Sequence, residues 1–76
     1  MRDLILAISK ALVDEPDKVE INEIVGDKIT VFELHVAKED LGKVIGKQGK
    51  TAHAIRILLN ATATKLNKRA VLEIIE

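Results

Sequence analysis

This chain of 76 residues has no cysteine, only one aromatic residue and no long apolar run. Without cysteine it has no disulfide framework and no thiolate metal site, which favours a reducing compartment such as the cytoplasm. Its one aromatic residue is Phe32, which argues against nucleic-acid binding by base stacking on exposed aromatic rings. No apolar run approaches the ~20 residues that span a bilayer, and no signal-peptide pattern is evident. We therefore expect a cytoplasmic protein with no membrane partner.

The residues that commonly perform catalysis are also scarce. Histidine occurs twice, at His35 and His53, and serine occurs once, at Ser9. These residues form neither a nucleophile–base pair nor a cluster with the spacing of metal ligands. We therefore expect that the chain is not an enzyme and that it uses no metal or other cofactor.

Charge is distributed unevenly along the chain, although the formal net charge is zero. Residues 1–40 contain 5 Lys/Arg and 10 Asp/Glu, whereas residues 41–76 contain 7 Lys/Arg and 2 Asp/Glu. All basic residues of the second part lie between Leu41 and Arg69, with no acid among them. Such segregation is typical of a binding surface for nucleic acid, and a merely solvated helix face is the alternative interpretation.

Apolar periodicity predicts six elements in one domain, because 76 residues are enough for a single core. A strand that follows a helical crossover lies parallel to the strand before it. The order of elements therefore predicts an α+β fold, in which helices cover one face of a three-stranded mixed sheet. The predicted elements are helix 3–13, strands 19–25 and 29–36, short helix 38–44, long helix 50–66 and strand 70–75.

Four local features refine this prediction. The alternation in the first strand slips at Glu23 and Ile24, which indicates a bulge or a strand end there. In the second strand, Phe32 lies on the face that is better suited to the core. Thr51 is a candidate N-cap of the long helix, and Asn67 can end that helix in a left-handed conformation.

The most distinctive segment is Gly46-Lys47-Gln48-Gly49, between the short helix and the long one. Glycine is unfavourable inside an element, so this pair indicates a sharp turn or the close approach of a ligand. The segment precedes a helix N-terminus, where N–H groups and the helix dipole favour a phosphate, and Lys47 and Lys50 add positive charge. Two glycines are a short pattern, and a tight turn with solvated lysines is the alternative.

The wider segment from Leu41 to Ile55 resembles the signature of the KH domain, a single-stranded nucleic-acid module. Together with the leading helix and the acidic hairpin, it resembles the small bacterial KH proteins of the KhpA family over nearly the whole chain. The resemblance implies a type II KH fold, α-β-β-α-α-β, whose glycine loop clamps the backbone of about four nucleotides, as in KH domains generally. It implies an RNA-binding surface formed by Lys43, Val44, Ile45, Gly46, Lys47, Gln48, Gly49, Lys50 and Arg56.

The same resemblance implies a post-transcriptional regulator or RNA chaperone that acts with a second, larger KH-domain protein in control of cell elongation. Single-stranded DNA remains open as a ligand. A scaffold that mainly assembles complexes is the alternative function. An acid inside a degenerate loop would favour the scaffold. Here Lys47 and Gln48 lie between intact glycines, which favours RNA binding.

The long helix has apolar residues on two sides, which is unusual for a surface helix. We expect one stripe to face the sheet, namely Ala52, Ile55, Leu59, Thr62, Ala63 and Leu66. The second stripe, called the outer stripe below, consists of Ala54, Ile57, Leu58 and Ala61. It predicts a homodimer through Ile57 and Ala61, with the same face able to bind a KH domain of another chain. The alternative is that the first helix, through Leu4 and Ile8, covers part of the outer stripe.

Overall fold

The predicted elements all form in the computed structural model, which describes every residue from Met1 to Glu76. Their bounds differ from the predicted ones by at most one residue at either end, and the short helix divides into a 3-10 turn at Lys38–Asp40 and a helical turn. The helices and strands therefore lie where the apolar periodicity predicts them, and the α+β fold is confirmed. The elements are α1 (Arg2–Leu12), β1 (Glu20–Val25), β2 (Ile29–His35), α2 (Leu41–Ile45), α3 (Lys50–Lys65) and β3 (Arg69–Ile74).

The sheet has β2 at its centre, with β1 antiparallel on one side and β3 parallel on the other. The parallel pairing of β3 was predicted from the helical crossover and is confirmed. The bulge or strand end predicted at Glu23 and Ile24 was wrong, because the β1–β2 register runs without a break from Glu20 to Val25. Both faces of this part of β1 are exposed, so burial imposes no alternation there.

One face of the sheet and the three helices enclose the core. Phe32 and Leu34 of β2 are fully buried, and they alternate with partly exposed neighbours, as the sequence predicts. Burying such a side chain contributes roughly 1.5–3 kcal/mol, so these two residues contribute substantially to the stability of a small domain. The core cluster consists of Ile5, Val13, Val19, Phe32, Leu34, Val44, Ile55, Leu59, Ala63, Ala70 and Leu72.

The C-terminus of α3 ends as the sequence predicts. Asn67 adopts a left-handed conformation with φ of 56°. Its N–H donates to the Thr64 carbonyl at 3.0 Å, and the Lys68 N–H donates to the Ala63 carbonyl at 2.9 Å. These two bonds form a Schellman cap. The cap turns Leu66 outward, where it is 55% exposed, so its predicted place in the sheet-facing stripe was wrong.

The outer stripe of α3 is largely exposed. Ile57 is 56% exposed and Leu58 is 51% exposed, and Ala54 and Ala61 are exposed beside them. Any cover that α1 provides therefore leaves at least half of the Ile57 and Leu58 side chains exposed in the isolated chain. A separate observation is that none of the helices has the length and apolarity needed to cross a membrane.

Candidate nucleic-acid interface

The loop between α2 and α3 has an unusual backbone. Gly46, Gln48 and Gly49 all have positive φ, at 78°, 58° and 74°. The Gly46 N–H donates to the Gly42 carbonyl at 2.9 Å, and the Gly49 N–H donates to the Gly46 carbonyl at 3.1 Å. A left-handed conformation is costly for a non-glycine residue, so Gln48 is held there by the two flanking glycines and their hydrogen bonds.

The two glycines of the loop are required for different reasons. A Cβ atom on Gly46 would lie 2.6 Å from the Thr51 Cβ and 2.7 Å from the Thr51 nitrogen, which is closer than packing permits. A Cβ on Gly49 would meet no atom within 4 Å, so only its backbone conformation requires glycine. Thr51 was predicted as the N-cap of α3, and this was wrong: Gly49 is the N-cap, while Thr51 packs on Gly46.

Positive charge is available around the N-terminus of α3. No side chain caps this helix, and its first turn has no acid. Lys47, Gln48 and Lys50 are exposed, and neither lysine forms a salt bridge. Uncapped N–H groups, the helix dipole and two free ammonium groups together make a site that favours a phosphate.

Lys43, which the resemblance places on the same surface, has acidic partners instead. Its Nζ atom lies 2.9 Å from Asp14 Oδ2 and 3.6 Å from Asp40 Oδ1. The hydrogen bond to Asp14 and the charges of both carboxylates raise the pKa of Lys43 above its usual value, although desolvation opposes them. The ammonium group thus balances local acids, and less of its charge is available to a phosphate.

Asp40 is a buried carboxylate that sequence reasoning did not identify. It is 1% exposed, and its two oxygens accept the backbone N–H groups of Asp14 at 3.3 Å and Glu15 at 3.1 Å. Burial raises the pKa of Asp40, but these N–H groups and Lys43 lower it more, so that the pKa lies below its usual value. Asp40 joins the segment after α1 to the start of α2 and so fixes the helix that leads into the loop.

Apolar residues on either side of the loop are not equally accessible. Val44 is fully buried in the core, so its expected place in an RNA-binding groove was wrong; it supports α2 from beneath. Ile45 is partly exposed at the end of α2 and can contact a ligand. Ile55 is a core residue, because its position on α3 faces the sheet.

Arg56 extends from α3 to the edge of the sheet. Its Nε and Nη2 atoms donate to the Leu72 carbonyl at 3.3 and 3.2 Å. Since β3 is an edge strand, this carbonyl has no strand partner on its outer side. Arg56 therefore lies between α3 and the edge of β3, where its guanidinium group is next to the Leu72 carbonyl.

The fold and this loop define a class of protein. A glycine loop joins two helices that pack on a three-stranded mixed sheet in the order α-β-β-α-α-β, which is the arrangement of a KH domain. The chain belongs to the KhpA/KhpB KH-domain family, whose model matches residues 2–74.

Curated relatives extend over nearly the whole chain. A protein of Caldanaerobacter subterraneus subsp. tengcongensis, named RNA-binding protein KhpA, is 57% identical over 75 residues, covering 99% of this chain and 100% of that protein. Proteins of the same name from Clostridium acetobutylicum and Aquifex aeolicus are 53% and 50% identical, covering 99% and 100% of this chain and 100% and 96% of those proteins. Their names are those of binding proteins and not of enzymes, as expected for this chain. No solved structure gives a significant match.

Proposed function

We propose that this chain is a cytoplasmic RNA-binding protein that holds about four single-stranded nucleotides, the number a KH glycine loop clamps in general. The observation on which the proposal depends is the loop itself, whose backbone brings the exposed Lys47 and Lys50 to the uncapped N-terminus of α3. The relatives named as RNA-binding proteins support RNA as the ligand. The residues assigned to the contact are Ile45, Gly46, Lys47, Gln48, Gly49, Lys50 and Arg56.

In this proposal the loop binds phosphates. Gly46 and Gly49 have no side chain to keep the nucleic-acid backbone away, and the main chain can therefore approach closely. Lys47 and Lys50 supply point charges that are not neutralised by neighbouring acids. Phosphate contacts of this kind give affinity and position without reading the sequence, so we expect weak sequence preference.

The bases lie, in the same proposal, between α2 and the edge of β3. Ile45 offers an aliphatic surface, which a base can contact without an aromatic ring. Arg56 and the Leu72 carbonyl present hydrogen-bond donors and an acceptor 3.2–3.3 Å apart. A base edge could replace the hydrogen bonds between Arg56 and the Leu72 carbonyl with hydrogen bonds of its own. The chain would then read that base at one position of the groove.

Assembly is the second part of the proposal, and the exposed outer stripe supports it. Ile57 and Leu58 are more than half exposed on a domain of 76 residues, and apolar patches of this kind mark interaction sites. A twofold contact through Ile57 and Ala61 would place two glycine loops in one particle and raise avidity for a longer RNA. The same face would accept a larger KH-domain partner, with which the chain would act in RNA regulation or chaperoning and in control of cell elongation.

The test of RNA binding replaces Lys47 and Gln48 with aspartates and measures the affinity for a fluorescent single-stranded RNA. Both glycines remain, so we expect an unchanged circular dichroism spectrum and melting temperature, with loss of binding. The control changes Lys65 and Asn60 to glutamates, which alters net charge equally on exposed positions of α3 far along the helix from the loop. Equal affinity of the aspartate variant and the native chain would overturn the proposal; loss of affinity in the control would show a general charge effect instead.

A further inference from the structure

A cleft lies where β2 and β3 end, next to the start of α2. It encloses about 590 Å³, within the ~300–1,000 Å³ typical of small-molecule sites. None of its residues belongs to the contact surface assigned above. The cleft is lined by His35, Val36, Lys38, Leu41, Ile75 and Glu76.

The cleft continues the apolar surface of the proposed groove. Leu41 and Ile45 are four residues apart on α2, and residues at this spacing are neighbours on one face of a helix. Both are partly exposed, so an apolar surface runs from the glycine loop along α2 to the cleft. The opposite wall is held in place because the Ile75 N–H donates to the Leu34 carbonyl at 2.9 Å.

The lining residues match one nucleotide. Val36, Leu41 and Ile75 are the apolar lining residues, and a base can contact them. Lys38 is exposed and forms no salt bridge, so its ammonium group is free to bind a phosphate at the rim. His35 and the acidic Glu76 add hydrogen-bonding groups, and a carboxylate among them favours a base with an amino group.

A neighbouring cleft offers a contrast. It is lined by Arg2, Val19, Glu20, Ile21, Asn22 and His35 and encloses about 550 Å³. It shares His35 but includes no residue of α2 and no residue of β3. It is therefore not continuous with the groove, although it has a similar size and also contains one cation.

We propose that the cleft of Lys38, Leu41 and Ile75 binds one further nucleotide of the single-stranded RNA held by the glycine loop. This inference depends on the proposed function, because the nucleotide in the cleft belongs to an RNA strand that the glycine loop already holds. It predicts that the chain distinguishes RNA by length beyond four nucleotides, with a preference for a base that has an amino group.

The experiment compares oligoadenylates of four and six nucleotides in fluorescence anisotropy titrations of the full chain. A six-nucleotide strand offers three registers to a four-nucleotide site, so length alone gives about a threefold gain. Occupation of the cleft should multiply this gain in affinity by about ten, the factor that ~1.4 kcal/mol of binding free energy produces. Lys38→Glu should remove the additional gain and leave the affinity for four nucleotides unchanged, and Arg2→Glu, with the same charge change in the neighbouring cleft, should retain it.

Amide chemical shifts provide a second readout. The signals of Leu41 and Ile75 should move with six nucleotides and remain in place with four, whereas those of Gly46 and Gly49 should move with both. A native gain of only threefold, or an undiminished gain in Lys38→Glu, overturns the inference while leaving RNA binding at the loop intact. Failure of the native chain to bind either length overturns the proposed function, and the inference with it.

Discussion

Three glycines along one short segment should respond very differently to the same added methyl group. Gly46→Ala places a side chain in a backbone region, φ 78° and ψ 171°, that is open essentially to glycine alone and costs about 1–3 kcal/mol. It also forces the new Cβ against Thr51, with 2.6 Å to its Cβ and 2.7 Å to its nitrogen. We expect a loss of ~3 kcal/mol or more in the free energy of unfolding, a large fraction of the stability of a small domain.

The other two glycines provide the matched comparison. Gly49→Ala meets no atom within 4 Å and should cost only the left-handed conformation, about 1–2 kcal/mol; Gly49→Asn should cost less, because asparagine tolerates that region. Gly42 lies inside α2 with open space around it. Gly42→Ala should therefore stabilise the chain by ~0.5–1 kcal/mol, since alanine loses less entropy in a helix.

The assay is urea unfolding followed by far-ultraviolet circular dichroism, because the chain has neither tryptophan nor tyrosine to report by fluorescence. The expected order of stability is Gly42→Ala, native, Gly49→Asn, Gly49→Ala and Gly46→Ala. If Gly46→Ala and Gly49→Ala lose equal stability, the contact between Gly46 and Thr51 does not determine the loop. If Gly42→Ala destabilises the chain, the assigned geometry of α2 is incorrect.

Four further predictions concern other parts of the molecule. The pKa of Asp40 is lowered in the folded state. The ionised carboxylate therefore stabilises the fold above the ordinary aspartate pKa, and this effect is lost as the pH falls through the lowered value. Asp40→Asn should lower the melting temperature at neutral pH and weaken this dependence of stability on acid. Ser9→Ala should raise the free energy of unfolding by ~1 kcal/mol, since the buried Ser9 hydroxyl has no hydrogen-bond partner and burying it costs that order; a lower stability would reveal a partner. Asn67→Ala should destabilise α3 by ~1 kcal/mol through its left-handed cap, while Asn67→Gly should not, and equal values would contradict the capping argument. Ala61→Arg should yield a monomer in analytical ultracentrifugation that still melts as a folded protein, and an unchanged dimer would place the contact elsewhere.

The salt dependence of RNA binding follows from which cations are free. Each phosphate contact on a single strand contributes about 0.7 to the slope of log affinity against log salt. With Lys47 and Lys50 unpaired and Lys43 held by Asp14 and Asp40, we expect a slope of about −1.4. A slope of about −2.1 would mean that Lys43 leaves its acidic partners on binding and adds a third contact, and a slope of zero would exclude phosphate contacts.

Local chemistry was enough to predict the elements and the loop. Helical and strand periods, the crossover rule and the glycine pair act within a few residues, so the mixed sheet and the position of the loop could be read directly from the chain. The left-handed cap at Asn67 was predicted for the same reason, because it depends on the last turn of one helix. The outer stripe of α3 was also visible as a pattern, but only the packing of α1 could decide between an exposed stripe and a covered one.

Tertiary structure decided which residues of the candidate site are accessible and which are buried or paired. Asp40 and Lys43 act through contacts with residues 25, 26 and 29 positions away, which no local pattern specifies. Val44 and Ile45 are adjacent and equally apolar, yet one is buried and the other accessible, because packing of α2 on the core selects a single face. Which cations are free for a phosphate therefore depends on long-range pairing of charges, and this forms only when the segment after α1 meets the start of α2.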